Sequence, residues 1–322
     1  MKTLFLKMLL YSVLILIFLE VVIRVFHLTK DYPTRYIDPL GVEKWVPNQR
    51  GYSVTGIRRQ NFSEYHINQF GFNSYREYKP TKYKVEIALV GDSFIEGFHQ
   101  SYLNSIGKKI ELMLPGVNVY EFGYAGYDFA DQLHLIYQYQ ETFKDIDHVI
   151  LGLKFENDLT RGTYSVLEDR MKLESTLYRS MRRIKLLVYL QNIGAFDAAR
   201  EFTKKVLSFG SYEPDSEGVE TAELTQEKYE NYLNNFKSLI DTYGFDKQRF
   251  AFLLDKENTP SQFLEYLDHH HFKYLDFSES LKLSKRPTTL IYDMHWNDHG
   301  RNLVAQIISK YLQSEIYYTQ TK

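Results

Sequence analysis

Ser93, Gly126, Asn157, Asp293 and His295 are the side chains and backbone positions of this chain whose types and surroundings could support acyl transfer. Ser93 stands in Val90-Gly91-Asp92-Ser93-Phe94, directly after the apolar run Val85 to Val90. A parallel strand there would deliver the serine to the carboxyl edge of a sheet, where open α/β folds hold their ligands. A helix cap or turn residue is the commoner reading of such a tripeptide taken alone. A serine hydroxyl is a weak nucleophile and needs a base, a group that orients the base, and donors for the oxyanion. His295, in Asp293-Met294-His295-Trp296-Asn297, is the candidate base. Side chains two residues apart in an extended stretch point the same way, so Asp293 can reach its imidazole and hold its tautomer. Gly126, in Phe122-Gly123-Tyr124-Ala125-Gly126-Tyr127, can present a backbone amide, and Asn157, in Phe155-Glu156-Asn157-Asp158, a side-chain amide. Read singly, the first is a tight turn between strand and helix and the second a helix cap.

These positions become a site only if secondary structure gathers them. Val85–Val90, Val117–Phe122 and Val149–Leu153 read as strands, separated by helical spacing over Tyr102–Leu114 and Phe129–Phe143. From Thr160 to about Phe245 the pattern turns helical, with an acidic, glycine-containing loop around Tyr212 to Glu223, and predicts an inserted cap. Strands resume at Phe250–Leu254 and Tyr274–Phe277, around a helix at Ser261–His269, and a last helix runs from about Asp298 to Leu312. Strands alternating with helices imply a parallel sheet with right-handed crossovers. The expected fold is a flavodoxin-like three-layer α/β/α sandwich with a five-stranded parallel sheet. In the order 2-1-3-4-5 its first three strands are neighbours, so the loops bearing Gly126, Ser93 and Asn157 lie side by side.

The chain has 322 residues, enough for one large domain with insertions, and a formal net charge of -2 that offers no general attraction to nucleic acid. Cysteine is absent, which excludes a disulfide framework, a thiolate metal site and a cysteine nucleophile. The stretch from Thr3 to Leu28 is long and apolar enough to cross a hydrocarbon core of about 30 Å. Glu20 interrupts it, and Arg24, four residues on, can pair with it near the interface. No small-residue cleavage pattern follows, so residues 1–28 read as an uncleaved anchor, with the short amino-terminal tail inside and the body on the extracytoplasmic side. Residues 29–64 read as linker and pre-domain, Asp31 to Gln49 being rich in proline, tyrosine and charge. Residues 65–159 and 246–322 form the expected core, and 160–245 the cap insertion. Ile67–Phe72 reads as an edge strand and turn.

The four blocks Gly91-Asp92-Ser93, Gly126, Asn157-Asp158 and Asp293-x-His295 together resemble those of the SGNH/GDSL hydrolases. The resemblance covers roughly Tyr65 to Leu159 and Arg249 to Leu312. It implies a flavodoxin-like fold, Ser93 as nucleophile, His295 as base and Asp293 as its partner. It further implies an oxyanion hole of the Ser93 and Gly126 amides with the Asn157 side chain. Two departures stand out: Phe155 occupies a place where the family often has glycine, which predicts a reshaped pocket floor, and one residue rather than two separates Asp293 from His295. The shorter Asp-x-His-Trp form resembles that of membrane-anchored and polysaccharide-acetylating relatives.

The expected activity is a membrane-anchored esterase removing acetyl or another acyl group from a carbohydrate or cell-envelope substrate, without cofactor or metal. The same acyl-serine could serve an O-acyltransferase fed by a membrane acyl-donor protein, and a non-catalytic envelope scaffold is the reading from another class. Other motifs weigh less. His299 reads as part of the last helix rather than as base, and His269-His270-His271 as a solvated helix end rather than a metal site. Arg179, Arg182, Arg183 and Lys185, flanking Leu186-Leu187-Val188, read as a solvated helix face in preference to a surface for anionic lipid or glycan.

Overall fold

The computed structural model describes residues 2–55, 59–81, 83–195, 224–291 and 293–320, with side chains as far as 316. The loop expected at Tyr212–Glu223 lies outside the described residues. Five parallel strands form the central sheet: β1 (Val85–Gly91), β2 (Val117–Gly123), β3 (His148–Leu153), β4 (Phe250–Leu254) and β5 (Lys273–Asp276), in the order β2-β1-β3-β4-β5. Strands covered on both faces should be apolar throughout rather than alternating. Accordingly, β4 is buried at every residue and β1 at all but its first. Ala88 and Val90 belong to one buried cluster and Ile87 and Leu89 to another, one on each face of the pleat.

Helices supply the outer layers. The first cluster takes Phe129 and Leu133 from helix Phe129–Gln138, Phe236 and Leu239 from Gln226–Tyr243, and Phe263 and Leu267 from Ser261–His269. The second takes Ile106 and Ile110 from Ile106–Met113 and Val304 and Ile308 from Asp298–Gln320. The result is the expected three-layer sandwich.

Local boundaries shift for identifiable reasons. Ser105 caps the helix that begins at Ile106, accepting from the Lys108 amide, so Tyr102–Asn104 form a separate 3-10 turn. The second expected helix breaks at Tyr139 into Phe129–Gln138 and Gln140–Phe143. The last helix runs on to Gln320, beyond the expected Leu312. Strand Asn61–His66 pairs antiparallel with Arg50–Thr55, and the expected edge strand at Ile67 is reduced to a single bridge with Asn73.

Two larger corrections concern packing. The stretch Asp31 to Gln49, expected as linker, carries an antiparallel pair, Arg35–Ile37 with Glu43–Trp45, and buries Val42 and Trp45 in the first cluster. Its charges obscured this, because they are satisfied inside the fold: Lys44 Nζ lies 2.8 Å from Asp38 and Arg35 lies 3.2 Å from Glu43. The second correction concerns helix Gln226–Tyr243, placed in the cap by its position in sequence. Phe236 is fully buried and stacks on Phe129 of the sandwich at 5.4 Å, so this helix is a layer of the core.

Candidate active site

At the end of β1 the chain makes a four-residue helix, Ser93–Glu96. Asp92 caps it by accepting from the Phe94 amide, and Gly97 closes it with φ 66°. The helix lies so close over β2 that a Cβ on Gly123 would stand 2.1 Å from the Glu96 nitrogen. Backbone contact on this scale is open only to glycine. Ser93 is thereby the first helical residue above the carboxyl edge, and it is only partly buried.

His295 arrives from the far end of the chain. Asp293–Trp296 is a short strand paired antiparallel with Thr289–Leu290, just before the last helix. Its extended backbone sets Asp293 and His295 on one side. His295 Nε2 lies 2.7 Å from Ser93 Oγ across 202 positions of sequence. Its Nδ1 bonds Asp293 Oδ1, and that oxygen also accepts from the His295 amide at 2.9 Å. With Nδ1–H donating to the carboxylate, Nε2 is left to accept the serine proton.

A residue that the sequence reading did not single out completes the array. His99 Nε2 lies 3.0 Å from the other carboxylate oxygen, Asp293 Oδ2, and its ring stacks on that of His295 at 3.8 Å. Burial pushes the His99 imidazole below its ordinary value, outweighing the attraction of Asp293. For Asp293, burial acts against the charged form, but hydrogen bonds from His295 and His99 override it and hold the carboxyl far below its ordinary range. The two directions agree on one state: an ionised Asp293 that accepts from a neutral His99. Phe94 also packs against the His295 ring, at 4.5 Å. Nothing in the spacing Ser93 to His99 marks that histidine as a partner of Asp293, because the contact depends on where Asp293 returns to the edge.

The loop after β3 reaches the loop that bears Ser93. Lys154, at the end of β3, lies 2.9 Å from Asp92 Oδ2, while its amide donates to Asp158 at 2.7 Å. Asn157 is exposed on the short helix Phe155–Asp158. Gly126 is exposed, has φ 83°, and its carbonyl accepts from Arg170. Phe155 corrects one expectation. It is 2% exposed and packs on Tyr229 and Phe263 beneath the site, so the departure from glycine fills the core rather than the pocket floor.

Glu96 is buried directly under the site. Trp45 Nε1 donates to its carboxyl at 2.6 Å, and the Asn73 side chain donates to its backbone carbonyl at 2.7 Å. Burial pushes its carboxyl up to about 8 despite the Trp45 hydrogen bond. The amino-terminal segment, expected as linker, thus supports the helix that bears Ser93. His299 points elsewhere and contacts Ser284 at 2.9 Å. His269 ends its helix, with His270 as the cap and His271 at positive φ. Among the described residues, His99, Asp293 and His295 are the group whose ligand atoms come within 4.8 Å of one another. A divalent cation held there would compete for the atoms that bond Ser93 and Asp293.

No family model and no curated protein matches the chain. Solved structures similar to it include a lipolytic protein of the G-D-S-L family from Veillonella parvula DSM 2008, at 16% identity over 70% of this chain and 97% of the other, with a TM-score of 0.37. A lipase/acylhydrolase from Enterococcus faecalis matches at 12% identity over 71% and 96%, with a TM-score of 0.39. A carbohydrate acetylesterase family member from Sinorhizobium meliloti matches at 10% identity over 72% and 98%, with a TM-score of 0.34. The strand order and the Ser93–His295–Asp293 contacts of this chain are those that its resemblance to the SGNH/GDSL hydrolases implies.

Proposed function

We propose that the chain is a membrane-anchored SGNH-type serine esterase that removes acetyl or another acyl group from a carbohydrate or other cell-envelope substrate. The observation that carries the reading is the 2.7 Å contact between Ser93 Oγ and His295 Nε2, with the imidazole held from behind by Asp293. Two chain segments this distant in sequence share a hydrogen bond at the sheet edge, where a substrate carbonyl has access to a partly exposed serine.

In this reading His295 takes the Ser93 proton as Oγ attacks the acyl carbon, and Asp293 stabilises the imidazolium that forms. The Ser93 and Gly126 amides and the Asn157 side chain are the proposed donors to the tetrahedral oxyanion. Collapse expels the substrate alkoxide, which takes the proton from His295. Water, deprotonated by the same imidazole, then hydrolyses acyl-Ser93.

The test is to treat the full chain in detergent with a fluorophosphonate probe and, separately, to follow acetate release from acetylated oligosaccharides. Labelling confined to Ser93, together with acetate release, supports the reading. Absence of labelling under conditions that label a control serine hydrolase overturns it. Adding an acceptor sugar distinguishes hydrolysis from acyl transfer.

A further inference from the structure

Helix Thr176–Arg183 has no buried residue. Eight residues without a core face are too few to hold a helix in water. Leu177, Tyr178 and Met181 share one side of it and are 68%, 48% and 47% exposed, with Ile184 at its end 47% exposed. The arginines fall on the other side, Arg183 exposed and Arg179 and Arg182 sharing the Glu174 carboxylate. Arg179 and Arg182 lie 3.3 and 3.5 Å from Glu174, and Arg182 also covers the Tyr32 ring.

Its place in the molecule identifies what covers the apolar side. Helix Lys2–Val25 has an 18-residue window of mean hydropathy 2.5, and its apolar side chains from Leu4 to Leu19 are exposed. Its carboxyl end is docked to the cap. Glu20 accepts from the Lys185 and Leu186 amides at 3.0 and 2.6 Å, capping helix Lys185–Asn192, and pairs with Arg24 at 2.6 Å. Arg24 in turn donates to the Arg183 carbonyl at 2.5 Å. Exposed apolar side chains continue past Glu20 at Val21, Val25 and Phe26, so the anchor's apolar surface runs through the turn whose Arg24 bonds the end of helix Thr176–Arg183.

From this continuity we infer that helix Thr176–Arg183 lies in the bilayer interface, with Leu177, Tyr178 and Met181 seated at the boundary of headgroups and acyl chains. Glu20 joins it, through Lys185–Asn192, to the membrane-spanning helix. Because Leu177, Tyr178 and Met181 face away from the arginines, seating is driven by apolar burial rather than by anionic lipid. The inference rests on reading Lys2–Val25 as a retained anchor and is independent of the chemistry at Ser93.

The chain contains no cysteine, so single-site labelling has no background. Met181→Cys, Leu9→Cys and Tyr83→Cys would each carry an NBD fluorophore in the full chain, reconstituted into phosphatidylcholine vesicles. Tyr83, 97% exposed on the body, is the aqueous reference. The expected result is a blue-shifted, doxyl-lipid-quenched signal at positions 181 and 9, strongest with shallow doxyl groups at 181 and deep ones at 9, and neither effect at 83. A label at 181 that behaves like that at 83, while position 9 is quenched, overturns the inference and leaves the anchor intact. If position 9 is also unquenched, the anchor reading falls and this inference with it. Quenching at 181 that requires anionic lipid overturns the apolar mode of seating. Fluorophosphonate labelling of the same samples reports the esterase reading separately.

Discussion

His99 and His295 share one carboxylate: His99 Nε2 lies 3.0 Å from Asp293 Oδ2, His295 Nδ1 bonds Oδ1, and the two rings stack at 3.8 Å. Asp293 is therefore held from two sides, and in the proposed mechanism His99 would position the base. His99→Phe retains a ring to stack but loses the donor, so the rate of Ser93 acylation should fall about tenfold or more. His99→Gln, which can still donate to Asp293, should retain more of the rate. Stopped-flow acylation of the two variants across pH checks the ordering. Equal losses would assign His99 to packing alone.

Removing members of the array itself should have larger effects. Ser93→Ala should abolish fluorophosphonate labelling and ester hydrolysis. Asp293→Asn, which leaves the imidazole without its carboxylate, should lower kcat by about 10²- to 10⁴-fold with folding retained. Steady-state kinetics beside circular dichroism separates lost chemistry from lost structure.

Glu96 should make stability depend on pH. Its carboxyl, ordinarily near 4.5, is raised to about 8 by burial, so the folded protein holds a proton that the unfolded chain releases. The advantage of the protonated form is full below pH 4.5 and is lost as pH rises toward about 8. The slope from this group approaches about 1.4 kcal/mol per pH unit between those limits. His99 and His148 are lowered by burial and act with the opposite sign, destabilising the fold as pH falls. The informative quantity is therefore the difference between the wild type and Glu96→Gln, whose melting temperature should decline less from pH 5 to 8. Parallel curves would contradict the protonated, buried state.

Gly123→Ala should damage both fold and site. The added methyl would stand 2.1 Å from the Glu96 nitrogen and 2.5 Å from the Ile95 carbonyl carbon, both of them backbone. Relief requires the helix bearing Ser93 to move. A stability loss of about 2 kcal/mol or more is expected, accompanied by slower labelling of Ser93. Urea denaturation and labelling rate measured together would test the coupling.

Phe236→Ala tests whether helix Gln226–Tyr243 belongs to the sandwich. The side chain is fully buried and meets Phe129, Phe252, Phe263 and Phe272 at centroid distances from 5.1 to 5.9 Å. Loss of this ring should cost about 3–5 kcal/mol. A cost near zero in equilibrium unfolding would return the helix to the cap.

By itself the sequence determined the central sheet, because strands buried on both faces must be apolar throughout and stand out from the helices between them. Phe250–Leu254 and Ser261–His269 were legible to the residue for this reason. The local spacing that suggested the site was likewise visible, Ser93 just past an apolar strand and Asp293 two residues before His295 in an extended stretch. Tertiary structure alone decided contacts that close across long stretches of chain. No periodicity brings His99 to Asp293, Trp45 to Glu96, or Glu20 to the amides of Lys185 and Leu186. Such polar contacts are set by three-dimensional position, and a buried charge such as Lys44 looks in sequence like a solvated one until its partner is known. The same limit applied to Phe236 and Phe155, whose aromatic rings fit an exposed cap or a pocket floor equally well until the sheet beneath them was in place.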